Sequence, residues 1–296
     1  MRTAFIHELI EQAKIHSNIF LVVGDLGFSV IEPFAEAFPD RFLNAGVAEQ
    51  NMTGIAAGLA SEGYHVFTYS IANFPTLRCL EQIRNDVCYH GLPVSVVAVG
   101  AGFAYGNLGY SHHAVQDLGV MRGLPGMTVM SPADPGETKE CVQWLTAHPG
   151  PSYLRLGKAG EKDLHSVHGI EHSPVEIRVG DGELALVATG AALSVALEAA
   201  NLIAVSEQSV SVFSMPLVKP VDRSRIERLN RFRRIAVVEE HVVEGGLVEL
   251  ISREVRSPEI IACNALESCA QQVGTQSFLR RSNGLDAVAV AEQLVR

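Results

Sequence analysis

Residues 44–69 read NAGVAEQNMTGIAAGLASEGYHVFTY, and the pattern within this segment indicates the fold class. Residues 47–61 have the small-residue and apolar spacing of a helix, and residues 65–69 form one of the short runs that indicate strands. The same alternation of strand and helix continues on both sides. Apolar strands joined by helical crossovers indicate a parallel sheet that helices cover on both faces.

The alternation occurs in two blocks along the chain. In the first block, strands are predicted at 19–23, 65–69, 93–99, 127–130 and 153–156, and helices at 3–16, 47–61, 76–90 and 137–147. In the second block, strands are predicted at 184–188, 210–213, 235–238 and 260–262, and helices at 191–206, 223–230 and 245–255. We therefore predict two consecutive, open, mostly parallel α/β domains at 1–160 and 179–296, with a polar linker at 161–178.

Composition excludes several classes of protein. Apolar residues make up 47% and charged residues 19% of the 296 residues, so the chain can bury large cores and is not disordered. Lys and Arg number 23 against 33 Asp and Glu, which gives a net charge of −10. This acidity argues against nucleic-acid and anionic-membrane binding, because phosphate contacts need a basic surface. A local cationic pocket for a small phosphorylated ligand is still compatible with it.

The cysteines and the first residues indicate the compartment. The chain has five cysteines without a C-x-x-C motif, so neither a disulfide framework nor a zinc knuckle is indicated. The start, MRTAFIHELIEQAK, carries acidic residues where a signal peptide would be apolar. No run approaches the ~18 apolar residues of a membrane span. We therefore expect a soluble protein in a reducing, cytoplasmic location.

Glu49 is the first candidate functional residue. It lies in the first turns of the helix predicted at 47–61, whose other residues are mostly small and apolar. Burying a carboxylate on such a helix costs free energy unless the group is hydrogen-bonded for a purpose. The alternative is an acid at a helix N-terminus, where the macrodipole favours negative charge.

Two further segments point to the same edge of the sheet. Phe74 follows the strand predicted at 65–69, and a glycine-rich loop that ends in His112 and His113 follows the strand at 93–99. Open α/β sheets bind ligands at the carboxyl ends of their strands, which is where both segments begin. The alternative for Phe74 is ordinary core packing.

Several motifs occur together in a recognisable order. They are GVAEQNM at 46–52, EQIRNDV at 81–87, GYSHH at 109–113, QDLGVMR at 116–122, P-x-M-x-V-x-x-P-A-D at 125–134 and PSYLRLGK at 151–158. Together they resemble the C-terminal half of transketolase, a thiamine-diphosphate pyrimidine-binding domain followed by the transketolase C-terminal domain. The resemblance is strongest over 44–158. Split transketolases, in which the two halves are separate chains, are most similar.

The resemblance implies an enzyme subunit that works with a partner. It implies the C-terminal subunit of a thiamine-diphosphate-dependent enzyme that transfers a two-carbon ketol unit from a ketose donor to an aldehyde acceptor. The family holds the diphosphate and Mg²⁺ through G-D-G followed by N-N in a separate domain. Residues 180–182 read G-D-G, but no N-N follows, so we interpret this triplet as a turn. The cofactor's diphosphate and Mg²⁺ would then be held by an N-terminal-half partner subunit in an α2β2 assembly, with no metal ligand from this chain.

The resemblance also assigns residues to the cofactor. Glu49 matches the glutamate that hydrogen-bonds N1′ of the aminopyrimidine and stabilises its imino tautomer, for which an apolar enclosure is expected. Phe74 matches the aromatic residue that packs on the pyrimidine, and Ile71 stands where a second aromatic is usual. Asp25 is placed among the cofactor-binding residues. His112 matches the histidine that contacts the donor's hydroxyl groups and the reacting oxygen, and His113 is expected only to be its neighbour.

A second group of positions is implied for the substrate's phosphate. They are Arg2, Ser29 and Lys158, where lysine keeps the charge of the usual arginine but loses its bidentate fork. Gly100 replaces a phosphate-side histidine and is expected to leave an empty space. Leu108 replaces an aspartate that reads the donor's hydroxyls. These departures predict weaker discrimination for phosphorylated substrates.

Three alternatives remain open from the sequence. The first is another thiamine-dependent subunit, similar to deoxyxylulose-phosphate synthase or to the β-subunit of 2-oxoacid dehydrogenase E1. The second is a non-catalytic scaffolding subunit, against which the retention of Glu49, Phe74 and His112 argues. The third is a Rossmann-type dehydrogenase, but Gly24-Asp25-Leu26-Gly27 does not match G-x-G-x-x-G.

Overall fold

The computed structural model describes residues 1–296. The uncharged runs IFLVV and VSVVAV form strands that are buried along their whole length. The strands of the N-terminal block are β1 (Ile19–Val23), β2 (Phe42–Asn44), β3 (His65–Ile71), β4 (Val94–Val99), β5 (Thr128–Met130) and β6 (Ser152–Leu156). Its helices are α1 (Arg2–Ile15), α2 (Glu32–Ala37), α3 (Glu49–Ser61), α4 (Leu80–Gln82), α5 (Asp117–Gly123) and α6 (Pro135–Ala147).

The C-terminal block repeats this construction on a smaller scale. Its strands are β7 (Val175–Arg178), β8 (Leu184–Ala188), β9 (Val210–Ser214), β10 (Leu217–Lys219), β11 (Arg234–Val238) and β12 (Glu259–Cys263). Its helices are α7 (Ala192–Ala204), α8 (Arg223–Glu227), α9 (Leu247–Glu254), α10 (Gln276–Ser282) and α11 (Ala287–Val295). None of the helices has both the length and the apolar character needed to cross a membrane.

The strands form two open, mostly parallel sheets, as predicted. The first sheet has seven strands in the order β10-β5-β6-β4-β3-β1-β2, and the second has five in the order β12-β11-β8-β9-β7. Only the edge strands β10 and β7 run antiparallel to their neighbours. The fold class inferred from the alternation of strands and helices is confirmed.

Several local features differ from the expectations, among them the helices α2, α5, α10 and α11, which were not predicted. Strand β7 lies inside the segment 161–178 that was expected to be a linker, and it pairs with β9. Strand β10 joins the first sheet although it lies in the sequence of the second block. Residues 76–90 were expected to form one helix, but α4 is preceded by a 3-10 turn and continues as a π-helix at Ile83–Cys88. Strands of three or four residues are too short to show a period, and nothing in the sequence separates a π-helix from an α-helix here.

A buried ion pair of the N-terminal block lies at the seam between the two sheets. Arg155 on β6 donates from Nε to the Asp117 carboxylate at 2.7 Å, and Tyr153 donates its hydroxyl to the same carboxylate at 2.5 Å. Burial opposes ionisation, but the Arg155 charge holds the pKa of Asp117 below its usual value. Arg155 also donates to the backbone carbonyl of Glu240 in the C-terminal block at 3.0 Å. The two blocks are therefore held in one orientation at this seam.

Candidate active site

The candidate site lies at the edge of the first sheet where β1, β3 and β4 end. Parallel strands direct their carboxyl ends to one edge, so the loops that follow them meet there. Gly24 follows β1, Phe74 follows β3, and His112 ends the long loop after β4. Glu49 is the first residue of α3, which follows β2 at the same edge. The topology therefore gathers the residues that the sequence singled out.

Glu49 is a buried carboxylate with two polar partners. Only 2% of the residue is exposed. Ser70 on β3 donates its hydroxyl to Oε1 at 3.2 Å, and Arg78 donates from Nη1 to Oε2 at 2.7 Å. Gly24 packs beside this group, since a Cβ built there would lie 3.5 Å from the Glu49 Cγ. The expected apolar enclosure is thus wrong in one respect, because a serine and an arginine complete the pocket.

Arg78 links Glu49 to the aromatic side chains of the site. Its guanidinium carbon lies 4.4 Å from the centroid of the Phe74 ring, within the range of a cation–π contact. The Phe74 ring in turn packs edge-on against His112, with 5.2 Å between ring centroids. Phe74 is therefore not a simple core residue, since it is half-buried and has one face against a charged group.

His112 and His113 have different surroundings. The His112 Nδ1 lies 3.0 Å from the Ser111 hydroxyl, and burial together with the neighbouring His113 lowers the pKa of the His112 ring. His112 is consequently neutral at pH 7. His113 is fully buried, packs edge-on against Phe103 at 5.5 Å between centroids, and lies 3.3 Å from the Gly106 carbonyl. Its position is that of a packing residue beside the site.

Tyr105 connects His112 to the residues expected at the substrate's phosphate. The centroid of its ring lies 6.5 Å from that of His112, and the Lys158 Nζ lies 5.2 Å from the same tyrosine ring. Burial raises the pKa of Tyr105, and the nearby Arg2 charge opposes this shift. The structure therefore brings Arg2 and Lys158 to the same tyrosine.

The space expected at Gly100 is not empty. A Cβ built on Gly100 would lie 2.3 Å from the Tyr105 ring, and the glycine has a φ of +102°. The aromatic ring therefore occupies the place where an imidazole was expected to be missing, and only glycine fits beneath it. Leu108 ends a 3-10 turn at Gly106–Leu108 and exposes 53% of its surface, so an apolar group faces solvent where the family has an acid.

Three other expected site residues make no hydrogen bond to the Glu49 side chain. Asp25 is exposed with a φ of +55° and accepts a hydrogen bond at 2.9 Å from Asn44. Ser29 is exposed, and its backbone N–H donates to Glu32 at 2.8 Å. Ile71 is the last residue of β3, and its carbonyl accepts a hydrogen bond from the Phe74 N–H at 3.0 Å. Ile71 thus shapes the turn that carries Phe74.

A cavity of about 260 Å³ opens beside Lys158 at the seam between the two sheets. Lys162 and Arg280 contribute two further positive charges to its wall, and Ser194 contributes a hydroxyl. Arg280 is neutralised by Glu240, which accepts from its Nε at 2.5 Å, whereas Lys158 and Lys162 make no ion pair. Glu161 lines the same cavity, and its carboxylate accepts a hydrogen bond from the N-terminal amine at 3.0 Å, so the wall carries more positive than negative side chains.

The chain brings together no set of acidic, histidine or cysteine side chains that could hold a metal ion. The G-D-G triplet lies in the bend between β7 and β8, where the Ser209 hydroxyl accepts a hydrogen bond from the Asp181 N–H at 3.0 Å. The prediction that this triplet is a turn is confirmed.

Sequence reasoning missed three members of the site: Ser70, Arg78 and Tyr105. Ser70 and Arg78 lie in segments from which only Phe74 stood out, and their pairing with Glu49 depends on side-chain directions that a sequence does not show. Tyr105 carried a usable signal, because it is an aromatic residue in the middle of a glycine-rich loop.

The comparisons with known proteins agree with this geometry. Residues 1–160 match the family described as the pyrimidine binding domain of transketolase, and residues 174–275 match the transketolase C-terminal domain. The chain belongs to the transketolase family. It corresponds to the C-terminal half of that family's enzymes, as the order of its motifs predicted.

Three transketolase relatives span nearly the same length as this chain. A transketolase C-terminal section from Methanocaldococcus jannaschii is 34% identical, over 100% of this chain and 95% of that protein. One subunit of an apulose-4-phosphate transketolase from Phocaeicola vulgatus is 34% identical, over 84% of this chain and 81% of that protein. A subunit of a 6-deoxy-6-sulfo-D-fructose transketolase from a Clostridium species is 29% identical, over 97% and 91%.

Solved transketolase structures show the same fold. The chain described as a split-gene transketolase in an inactive β4 tetramer superposes with a TM-score of 0.87 and 33% identity, covering 99% of this chain and 96% of that one. The chain is also 33% identical to a 1-deoxy-D-xylulose-5-phosphate synthase from Geobacter sulfurreducens, but it spans only 41% of that protein. The synthases are thus related proteins of greater length.

Thiamine diphosphate is the cofactor that membership of the transketolase family implies. Its aminopyrimidine is a flat ring with hydrogen-bonding nitrogens along one edge. The site offers a buried carboxylate at Glu49 and an aromatic face at Phe74. A flat, hydrogen-bonding guanidinium already lies against both groups, which demonstrates that a flat polar group fits there. The residues present therefore fit the pyrimidine end of the cofactor.

Proposed function

We propose that this chain is the C-terminal subunit of a two-chain, thiamine-diphosphate-dependent transketolase, which transfers a two-carbon ketol unit from a ketose to an aldehyde. The observation that carries the proposal is Glu49, a carboxylate that is only 2% exposed, at the strand ends beside Phe74 and His112. A buried carboxylate costs free energy, so its retention beside an aromatic face and a neutral histidine supports a chemical role.

Glu49 would hold a proton at N1′ of the aminopyrimidine. Thiamine diphosphate supplies, when bound, the thiazolium carbon that accepts the two-carbon unit. Ser70 orients the Glu49 carboxyl by donating to Oε1, and α3 fixes its backbone, so little reorganisation is needed when the proton moves. Phe74 would support the flat face of the pyrimidine, and Ile71 would contact its edge.

His112 would act on the substrate rather than on the cofactor. Because the ring is neutral at pH 7, it can donate a hydrogen bond from one nitrogen and accept one with the other. Its Nδ1 is held by Ser111, which leaves Nε2 for a substrate oxygen. His112 would therefore orient the donor's hydroxyl groups and exchange a proton with the reacting oxygen.

Lys158 and Arg2 would bind the anionic end of the substrate. Both lie near Tyr105, and Lys158 has no carboxylate partner that would neutralise it. The exposed Leu108 favours a donor with fewer hydroxyl groups on that side. Ser29 and Asp25 are assigned to substrate and cofactor by the family resemblance, and their exposed positions leave them free for such contacts.

The partner would be a separate N-terminal-half subunit that holds the diphosphate and Mg²⁺, in an α2β2 complex located in the cytoplasm. Large apolar side chains are exposed around the site: Phe28, Leu43, Val47 and Leu77. Such a rim of exposed apolar residues next to a buried acid is typical of an interface that another chain covers. The names of two relatives, each a subunit of a transketolase, support the same division.

Reconstitution tests the proposal. The chain is purified alone and together with an N-terminal-half subunit encoded beside it, and ketol transfer is measured with thiamine diphosphate and Mg²⁺. We expect activity only from the mixture, and a heterotetramer by mass photometry. Robust ketol transfer by the chain alone, or no activity from a stable complex with any ketose donor, would contradict the proposal.

A further inference from the structure

Arg78 lies where the proposed function puts the cofactor. Its guanidinium is 4.4 Å from the Phe74 ring centroid and 2.7 Å from the Glu49 Oε2. These are the two groups that would stack on the aminopyrimidine and hydrogen-bond to it. A pyrimidine that stacked on the Phe74 face covered by Arg78 and bonded to the Glu49 Oε2 would need the place of the guanidinium, so in this pose Arg78 and the pyrimidine exclude one another.

We propose that Arg78 is a placeholder that closes the pyrimidine site in the free subunit and swings out when the cofactor binds. The inference rests on the proposed function. It adds a gating residue to that function, since Arg78 would compete with the cofactor instead of assisting it.

The contacts of Arg78 are those of a side chain that can leave. Its side chain is 46% exposed, while that of Glu49 is 1% exposed, so the arginine closes the pocket from the solvent side. Its guanidinium has no hydrogen-bond acceptor other than Glu49. The long, flexible side chain can therefore turn into water without leaving a buried group unpaired on its own side.

The closed state also occupies the proton-carrying group. An ion pair with Arg78 is made by the carboxylate form of Glu49, whereas the proposed chemistry needs a proton on this side chain. Departure of Arg78 would free Oε2 and the Phe74 face in one movement. Ser70 would keep the carboxyl in place meanwhile, because it bonds to the other oxygen at 3.2 Å.

The size of the effect follows from the two contacts that must be broken. An ion pair whose arginine is half-exposed and a cation–π contact at the solvent side of the pocket together favour the closed state by roughly five- to thirtyfold. The apparent affinity for a ligand of the open state is lowered by the same factor. A variant without the guanidinium should therefore bind the ligand with the full affinity of the open state.

Binding to the full chain without its partner tests this directly. The free aminopyrimidine half of thiamine is titrated against wild type, Arg78→Ala and Arg84→Ala by ligand-observed NMR, with folding checked by circular dichroism. Arg84 is the matched control. It is an exposed arginine further along the same irregular helix, and its side chain donates a hydrogen bond only to Asn85. We expect Arg78→Ala to bind about five- to thirtyfold more tightly than wild type, and Arg84→Ala to bind like wild type.

The possible outcomes distinguish failure of the placeholder proposal from failure of the proposed function. If Phe74→Ala and Glu49→Gln weaken binding but Arg78→Ala leaves it unchanged or weaker, the placeholder is wrong and the pyrimidine site stands. If Arg78→Ala binds no pyrimidine at all, the placeholder is again overturned. Reconstitution with the N-terminal-half subunit then decides, by an independent measurement, whether the proposed function falls with it.

Discussion

The molecule contains two arginine–carboxylate pairs with the same bond length and opposite surroundings. Arg155 and Asp117 are 2.7 Å apart at the seam, with side chains that are 2% and 0% exposed. Arg78 and Glu49 are also 2.7 Å apart, but the Arg78 side chain is 46% exposed. The first pair is closed on all sides, and Tyr153 and two backbone carbonyls complete its hydrogen bonds. The two pairs differ in burial and in the number of additional hydrogen bonds, and not in the N–O distance. These two properties distinguish a structural pair from a pair that can open.

Removal of the arginine from the closed pair should have the strongest effect on stability. Arg155→Ala leaves the Asp117 charge buried without compensation, which typically costs about 3–5 kcal/mol. Arg78→Ala opens the Glu49 carboxylate to water, because Arg78 closes this pocket from the solvent side, so the loss is about 1 kcal/mol or less. Urea denaturation of the two variants therefore should show a large loss of unfolding free energy for the first and a small one for the second. Similar losses in both would mean that burial does not separate the pairs.

The next largest effect concerns the carboxylate of the open pair. Glu49→Gln keeps the size and hydrogen bonds of the side chain but removes its proton transfer, which is worth on the order of 10²–10⁴-fold. We expect at least a hundredfold slower exchange of the proton at C2 of thiamine diphosphate in the reconstituted complex, with a nearly unchanged melting temperature. Glu62→Gln, in the exposed residue after the other end of α3, is the control. An unchanged exchange rate would leave Glu49 as an ordinary helix-end acid.

The sequence predicts the fold and part of the site, but it does not predict which carboxylates pair with an arginine. The strand and helix alternation was sufficient for both sheets, because buried parallel strands have a composition of their own. Glu49, Phe74 and His112 were found since each follows a predicted strand or opens a predicted helix. Each of the three lies after a parallel strand, so all three are expected at the same edge of the sheet.

The features that the sequence did not predict depend on the directions of side chains and on the paths of loops. The pairing of Glu49 with Arg78, 29 positions away, requires the irregular helix after β3 to present Arg78 toward α3. The filling of the Gly100 site by Tyr105 arises from the path of one loop. Strand β10 joins the first sheet through pairs that run from Leu217 to Met130, a contact without a local pattern.

A smaller effect is expected at the binding end of the site. A charge-assisted hydrogen bond is worth roughly 1.5–3 kcal/mol, so Lys158→Ala should raise KM for a phosphorylated aldehyde by around ten- to a hundredfold. The value for the matched unphosphorylated aldehyde should change little, and Lys14→Ala on α1 is the control. Gly100→His is unsuitable here, because any side chain at Gly100 collides with the Tyr105 ring. A strong phosphate preference that survives Lys158→Ala would show that the anion lies elsewhere.

The smallest expected effect lies in the titration of His112, which borders the open pair through Phe74. Burial and the adjacent His113 lower the pKa of this ring, so its midpoint should fall below the value of about 6.5 for an unperturbed histidine. As the pH decreases through that midpoint, the ring gains a charge and loses the lone pair that accepts a hydrogen bond, and ketol transfer should decline on the acid side. The ring's Cε1 proton reports the midpoint by NMR, with His112→Gln identifying the resonance. A midpoint at or above the unperturbed value would mean that His112 is more open to water than its packing on Phe74 indicates, and that a larger fraction of the ring is charged at neutral pH.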